Sequence, residues 1–277
     1  MSSIGAHAGQ PPRQRSVAKG ILFVYMGLVI AFIFMPIAAM VAFSFNDSGI
    51  PSLPWEGFTF RWYEEFANDA ALVEGLQNSI LLASMVSVIS TSIALVTVYF
   101  LRRTRWRQKE LLTAWVTAPA LIPLLMAGLA IFTFFDLVGW TGSRIALACG
   151  LSTIGIPFGM AVIRSQLTGV DPAPEEAAIN LGASHWTVLT RIVVPQCWSG
   201  IAGALLLTFV VGWDEFAISW FVTQFETTLP VQTYEQLGSA FSPKINAVGT
   251  IVFFTSLCLT VGAYLVALRP ALRRAGR

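Results

Sequence analysis

The sequence predicts an all-α integral membrane protein with six transmembrane helices. Two observations carry that expectation. Of its 277 residues 55% are hydrophobic and only 12% are charged, and the mean hydropathy is +0.69. A soluble domain of this length carries roughly a quarter of its residues as charges. The apolar residues also fall into runs near the roughly 20 residues that a helix needs to cross a hydrocarbon core.

The runs are 19–43, 76–101, 110–135, 143–163, 197–222 and 246–268. The first is too long and too late for a cleavable signal peptide, and its basic lead-in (Arg13, Arg15, Lys19) suits a retained anchor. The expected organisation is a tail at 1–18, one membrane domain at 19–268 and a second tail at 269–277. Pro119 and Pro123 interrupt the third run, and Gly155, Pro157 and Gly159 the fourth. Proline removes a helical hydrogen bond, which makes these positions candidate hinges. Membrane helices also keep such residues for structural reasons alone.

Lysine and arginine set the expected orientation. Three lie in or just after the N-terminal tail (Arg13, Arg15, Lys19), five at 102–109 ("RRTRWRQK"), two at 164–196 and four in the C-terminal tail, fourteen of seventeen on one side. The other side holds Arg61, Arg144 and Lys244. An excess of basic residues marks the cytoplasmic side, which places both termini and the 164–196 loop in the cytoplasm. Beside two spans, the tract at 102–109 reads as a topology anchor rather than a nucleic-acid patch. On the opposite side, residues 44–75 hold six acids, one arginine and the border residues Pro51, Pro54, Trp55, Trp62 and Tyr63. Such aromatics serve as interface anchors or as a platform for a soluble partner, and composition does not choose between the two.

Catalytic chemistry finds little support. Three cysteines (Cys149, Cys197, Cys258) in or beside apolar runs argue against a disulfide framework, and two histidines, His7 and His185, leave little for a metal centre. Neither H-E-x-x-H nor G-x-S-x-G occurs, which weighs against a six-span membrane enzyme.

The 164–196 loop is where the pattern becomes specific. It contains "EEAAINLGASHWTVLTRIVVP". Asp171-Pro172 is a helix-start signal, and Glu175 and Glu176 follow in the first turn, where negative charge suits the helix dipole. Gly182 can end that helix in the left-handed conformation. Ser184 can cap a second helix, "HWTVLTRIVV", which Pro195 interrupts before the fifth run. The expectation is two short helices about a glycine elbow, either a plain connector or a rigid knob for a cytoplasmic partner.

Glu176-Ala177-Ala178, Gly182, Ile192 and Pro195 resemble the EAA-loop signature of ABC-importer permease subunits, with Val194 where leucine is usual. Two further blocks, "GFTFRWYEEF" at 57–66 and "LPVQTYEQLGSAFSPKINAVGT" at 229–250, are similar to the spermidine/putrescine permease group. The resemblance implies a type I ABC-importer permease fold, polyamine transport across a bacterial inner membrane, and a loop that docks on an ATP-hydrolysing subunit. Glu175, Glu176, Ala177, Ala178, Gly182, Ile192 and Pro195 would form that coupling loop. It also implies a second permease subunit, two ATP-binding subunits and an extracytoplasmic solute-binding protein. No Walker A sequence occurs here, so ATP and Mg²⁺ would belong to the partner subunits and this chain would carry no cofactor. An opine or amino-acid derivative, ferric ion or thiamine remains open as cargo.

Asp214 and Glu215 fall inside the fifth run, "WSGIAGALLLTFVVGWDEFAISWF", about 24 Å along the helix from Trp198 at 1.5 Å per residue. On a continuous helix Thr208, Gly212, Glu215 and Ser219 make one small, polar stripe, and Phe209, Trp213, Phe216 and Trp220 an aromatic one beside it. The acid pair can snorkel at a helix end, pair with another subunit, or line a path for an organic cation. In the polyamine permeases two adjacent aspartates are expected at this place. The resemblance therefore implies that Trp213, Asp214, Glu215, Trp220 and Tyr234 lie along the substrate path.

Overall fold

The computed structural model describes residues 12–50, 53–104, 108–222, 227–239 and 242–275, with side chains left aside at 12–18, 239 and 268–275. His7, Pro51 and the centre of the basic tract, Arg105 and Arg107, lie outside the described residues. Among these residues the protein is helical apart from loops and an isolated antiparallel bridge, Asn46 to Phe58.

The helices run in chain order as α1 (Pro12–Phe43), α2 (Arg61–Asn68), α3 (Ala70–Arg103), α4 (Lys109–Thr117), α5 (Leu124–Leu137), α6 (Arg144–Thr168), α7 (Ala173–Asn180), α8 (His185–Val188), α9 (Val194–Gln196), α10 (Trp198–Trp213), α11 (Ala217–Val222), α12 (Leu229–Ser239) and α13 (Lys244–Ala275). Four are long and apolar enough to cross a membrane unbroken: α1, α3, α6 and α13. Two further spans arise from bent pairs, Lys109–Leu121 with Leu124–Leu137 at 104° and His185–Gln196 with Trp198–Trp213 at 83°. Six spans follow when each bent pair counts as one.

The break in the third span falls where its prolines were expected to interrupt it, whereas the fifth was expected to be continuous. In the third span Pro119 sits in a 3₁₀ turn, Ala118–Leu121, and Pro123 stands at the start of α5. Proline disfavours helical backbone at the residue before it, and Ile122 is accordingly extended, with φ −81° and ψ 134°. Pro157, by contrast, lies inside α6 without ending it. Gly155 and Gly159 are contact points rather than hinges. A Cβ on Gly155 would meet Ser90 Oγ, and one on Gly159 would lie 3.1 Å from the Ala94 Cβ.

Those contacts belong to the heart of the bundle, where α3, α6 and α10 pack on one another. Small residues permit close approach of membrane helices, and buried hydroxyls tie the three together. Ser87 Oγ donates to the Leu205 carbonyl at 2.7 Å, Ser90 Oγ to the Ser152 carbonyl at 3.3 Å, and Thr91 Oγ1 meets Thr208 Oγ1 at 3.1 Å. One apolar cluster fills the loop end of this trio, with Val98, Tyr99, Ile163 and Leu167 buried against Val188 and Val193 of the loop itself. A second cluster fills the other half, where α5 and α11 join α3 and α6. In contrast, none of the apolar window of α1 is buried, so its surface is left for lipid or another chain.

At the far end from the loop, α2 and the chain before it fold into a small cap that the sequence reading left without structure. Trp62 Nε1 donates to the Asn46 carbonyl at 2.7 Å, and Phe45 stacks on Phe58 with ring centroids 5.2 Å apart. Asp69 caps α3 by accepting from the Ala71 and Leu72 amides, and its other oxygen receives Lys244 Nζ at 2.6 Å and Gln236 Nε2 at 3.2 Å. Burial raises the Asp69 carboxyl. The Lys244 ammonium and the hydrogen bonds from Leu72 and Gln236 outweigh it and hold the group below its ordinary value.

Candidate functional site

Two places answer the sequence's expectations, one at each end of the fifth span. The first is the loop elbow. Asp171 Oδ1 accepts from the Ala173 amide at 2.9 Å and starts α7. Gly182 has φ +86°, the left-handed region that glycine enters without a Cβ penalty. The Gly182 amide donates to the Ile179 carbonyl at 2.8 Å and the Ala183 amide to the Ala178 carbonyl at 3.0 Å. That pair of bonds is the Schellman ending of a helix. Ser184 Oγ then accepts from the Thr187 amide at 3.2 Å and starts α8.

The second limb departs from expectation. Pro195 does not end it: a π-helical stretch, Leu189–Val193, leads into α9, and the chain turns only at Cys197. Pro195 falls in the first turn of α9, directly after the π-helical stretch, without ending the helix. Val188, Leu189 and Val193 anchor this limb in the core, while Ile192 is half-buried and Pro195 exposed.

The two glutamates part company. Glu176 and Ala177 are exposed and Ala178 is half-buried, whereas Glu175 is 2% exposed. Its carboxylate lies between two arginines from the last turn of α3, with Arg102 Nη1 at 3.1 Å and Arg103 Nε at 3.3 Å. Sequence reasoning placed Glu175 with Glu176 on helix-dipole grounds and missed that α3 holds it. The adjacent arginines had been absorbed into the topology anchor.

The second place is the break at 214–216. A continuous fifth helix through the acid pair was expected. Instead α10 ends at Trp213, and Glu215 folds back to start α11. Its carboxylate accepts from the Ile218 amide at 2.8 and 3.0 Å, from the Ser219 amide at 3.0 Å and from Ser219 Oγ at 3.4 Å. Glu215 is 7% exposed, so this carboxylate is a buried helix cap. The signal was present in the spacing, an acid three and four residues before amides of a short apolar helix. Asp214 is the exposed member of the pair, and its Oδ1 accepts from Ser256 Oγ of α13 at 2.8 Å.

The small, polar stripe is interior packing. Thr208 is 0% exposed, and a Cβ on Gly212 would come within 3.0 Å of the Ala83 Cα. The aromatic stripe is divided by the break. Phe209 and Trp213 pair at 6.3 Å, and Trp213 is buried with no partner for its Nε1 among the described residues. Beyond the break, Phe216, Trp220 and Tyr234 form a triangle with centroid separations of 5.7, 5.0 and 5.2 Å. These rings, with Leu125, Ala217 and Phe221, line a cavity of about 190 Å³. The structure thus brings Trp220 and Tyr234 together, adds Phe216, and sets Trp213 and Glu215 inside the protein. Among the described residues no group of three His, Cys, Asp or Glu side chains could hold a metal ion.

Removal of Glu215 should therefore read as a stability defect. Glu215→Ala leaves the Ile218 and Ser219 amides unpaired in a buried site, at about 1–3 kcal/mol, while Asp214→Ala releases only the Ser256 hydroxyl, at an exposed position. Thermal unfolding of the two purified variants checks this. Equal stability in both would show that the cap is dispensable.

The class of the protein, a membrane transport component rather than an enzyme, comes from its family and relatives. The chain belongs to the family of binding-protein-dependent transport system inner membrane components, whose model matches residues 95–274. Among similar proteins, the spermidine/putrescine transport system permease protein PotC of Escherichia coli (strain K12) is 29% identical over 88% of this chain and 92% of its own length. The putrescine transport system permease protein PotI of the same strain is 29% identical over 80% and 81%. The fold also matches a solved bacterial alginate ABC transporter in complex with alginate pentasaccharide-bound periplasmic protein, at TM-score 0.68 and 15% identity, over 93% of this chain and 96% of that one.

Proposed function

We propose that this chain is one of two permease subunits of an ATP-driven polyamine importer. In this reading both termini and the α7–α8 elbow face the cytoplasm, and the elbow docks on an ATP-binding subunit. Two such subunits hold ATP and Mg²⁺, a second permease completes the path, and an extracytoplasmic binding protein delivers the ligand. Closure of the ATPase pair shifts the spans between inward- and outward-open states through the differential stability of the two.

The observation that carries the cargo is the alignment of permeases named for spermidine and putrescine over 88% and 80% of the chain. The broken fifth span supports it chemically. An exposed carboxylate, Asp214, and the faces of Phe216, Trp220 and Tyr234 suit a flexible organic cation, each ring contributing about 0.5–2 kcal/mol as a cation–π partner. Trp220→Ala and Asp214→Asn should each lower spermidine uptake by about threefold to thirtyfold in whole cells, with normal amounts of protein in the membrane.

Calorimetric titration of the co-purifying binding protein with putrescine, spermidine, an opine, thiamine and ferric ion tests the cargo. Tight binding of a polyamine supports the reading. Binding of another member of the panel instead would sink the polyamine and leave the permease class standing.

A further inference from the structure

The ion cluster that buries Glu175 has geometry beyond a single pair. Arg102 also donates through Nη2 to the Val170 carbonyl at 2.8 Å, just before α7 begins. Arg103 reaches across the elbow, with Nη1 3.2 Å from His185 Nδ1 at the start of α8, and its guanidinium lies 5.1 Å over the Tyr99 ring. Tyr99 Oη donates to the His185 carbonyl at 3.3 Å. The last turn of α3 therefore holds the chain entering α7, the first turn of α7 and the first residue of α8. The chain itself ties the elbow to α6 and, through α9, to α10.

We propose that Glu175, Arg102 and Arg103 form a clamp that makes α3 the third span driven by the elbow, with Glu175 as a positioning residue. Glu176, exposed on the next position of the same helix, is left to face the ATPase. The physical basis is the contrast between the two glutamates. A 2% exposed carboxylate with both oxygens engaged cannot also meet an incoming subunit, and two arginines on a helix end give it a fixed seat. Without the clamp, α7 would be joined to the bundle through the chain at 169–172, the elbow into α8, and the apolar contacts of Ala178 and Ile179, none of which ties it to the charged end of α3. With it, displacement of α7 carries the loop end of α3, and α3 in turn packs along α6 and α10.

This inference rests on the importer reading, and the test separates the two. The assembled complex is reconstituted in proteoliposomes, and ATPase activity is measured with and without spermidine-loaded binding protein. Glu175→Gln and the Arg102→Gln/Arg103→Gln double variant should retain the ATPase subunits on purification. Their stimulation by loaded binding protein should fall at least tenfold, with spermidine uptake falling in parallel. Glu175→Asp, which can still reach one guanidinium, should recover part of both.

A second measurement removes dependence on those variants. In a chain otherwise free of cysteine, the Arg103→Cys/Glu175→Cys pair is joined by a bifunctional thiol reagent as long as the lost ion pair. Uptake should return when they are bridged, because the elbow and α3 move as one. Wild-type stimulation in the Gln variants, or a bridged pair that blocks transport while the unbridged pair works, overturns the clamp. Loss of the ATPase subunits from the Gln variants would make Glu175 an assembly contact and also overturn it. Wild-type complex that shows no stimulation by loaded binding protein fails the importer reading itself, and the clamp with it.

Discussion

Gly212→Leu is expected to leave almost no folded protein in the membrane, and Gly212→Ala to leave visibly less. A Cβ at this position would stand 3.0 Å from the Ala83 Cα, 3.1 Å from the Val86 Cβ and 3.3 Å from its Cγ1. The first of these is backbone, which cannot rotate out of the way, so α3 and α10 must separate. Overpacking alone costs about 1–3 kcal/mol. Separation also stretches the Ser87 bond to the Leu205 carbonyl and the Thr91–Thr208 contact, both in an interior with no water to replace them. The control is Gly262→Ala on α13, where a Cβ would find only Leu206 Cδ1, at 4.0 Å. Monodisperse protein recovered in mild detergent, and its unfolding temperature, should rank wild type with Gly262→Ala above Gly212→Ala above Gly212→Leu. Equal recovery of Gly212→Leu and wild type would mean that α3 and α10 do not cross as closely as described.

Gly212 also shows where sequence and structure part. Span number, the elbow and the family signature were legible because each is a local pattern: apolar run length, a cap followed by glycine, fixed spacing over twenty residues. The partner of a helix face is a non-local fact. The stripe of Thr208, Gly212, Glu215 and Ser219 was read as one face of a continuous helix; the break after Trp213 divides it, and nothing in the fifth run says that α3 covers the stretch around Thr208 and Gly212. Breaks in spans are intermediate cases. Pro123 announced the bend between α4 and α5, because proline restricts the residue before it. Glu215 announced its break less clearly, since a carboxylate in a membrane helix reads first as a charge and only second as a cap. The Glu175 seat needed residues 72 and 73 positions apart, and no period in the sequence connects them.

The elbow yields the largest functional effect with the least damage to the fold. Gly182→Val should abolish uptake and the stimulation of ATPase by loaded binding protein, while insertion and co-purification of the permease pair stay normal. No clash is involved, since a Cβ there would meet nothing within 4 Å. The penalty is conformational: φ is +86°, and a β-branched residue in that region is a genuine outlier. Left-handed backbone costs an L-residue about 1–2 kcal/mol. That is enough to shift the population of the bent elbow by about fivefold to thirtyfold, because about 1.4 kcal/mol is tenfold in an equilibrium. It is too little to unfold a bundle held by α3, α6 and α10. Relaxing the strain gives up the Gly182 and Ala183 amide bonds to the last turn of α7 and turns the helix that carries Glu176 away from the docking direction proposed for it. Gly182→Asn is the discriminating partner, because asparagine also serves at this cap position and should keep most of the activity. A steep ordering of glycine, asparagine and valine places the effect in backbone angle. If valine transports like glycine, the bent elbow is not what the ATPase holds. If asparagine fails as completely as valine, side-chain exclusion at the docked surface replaces backbone strain as the cause.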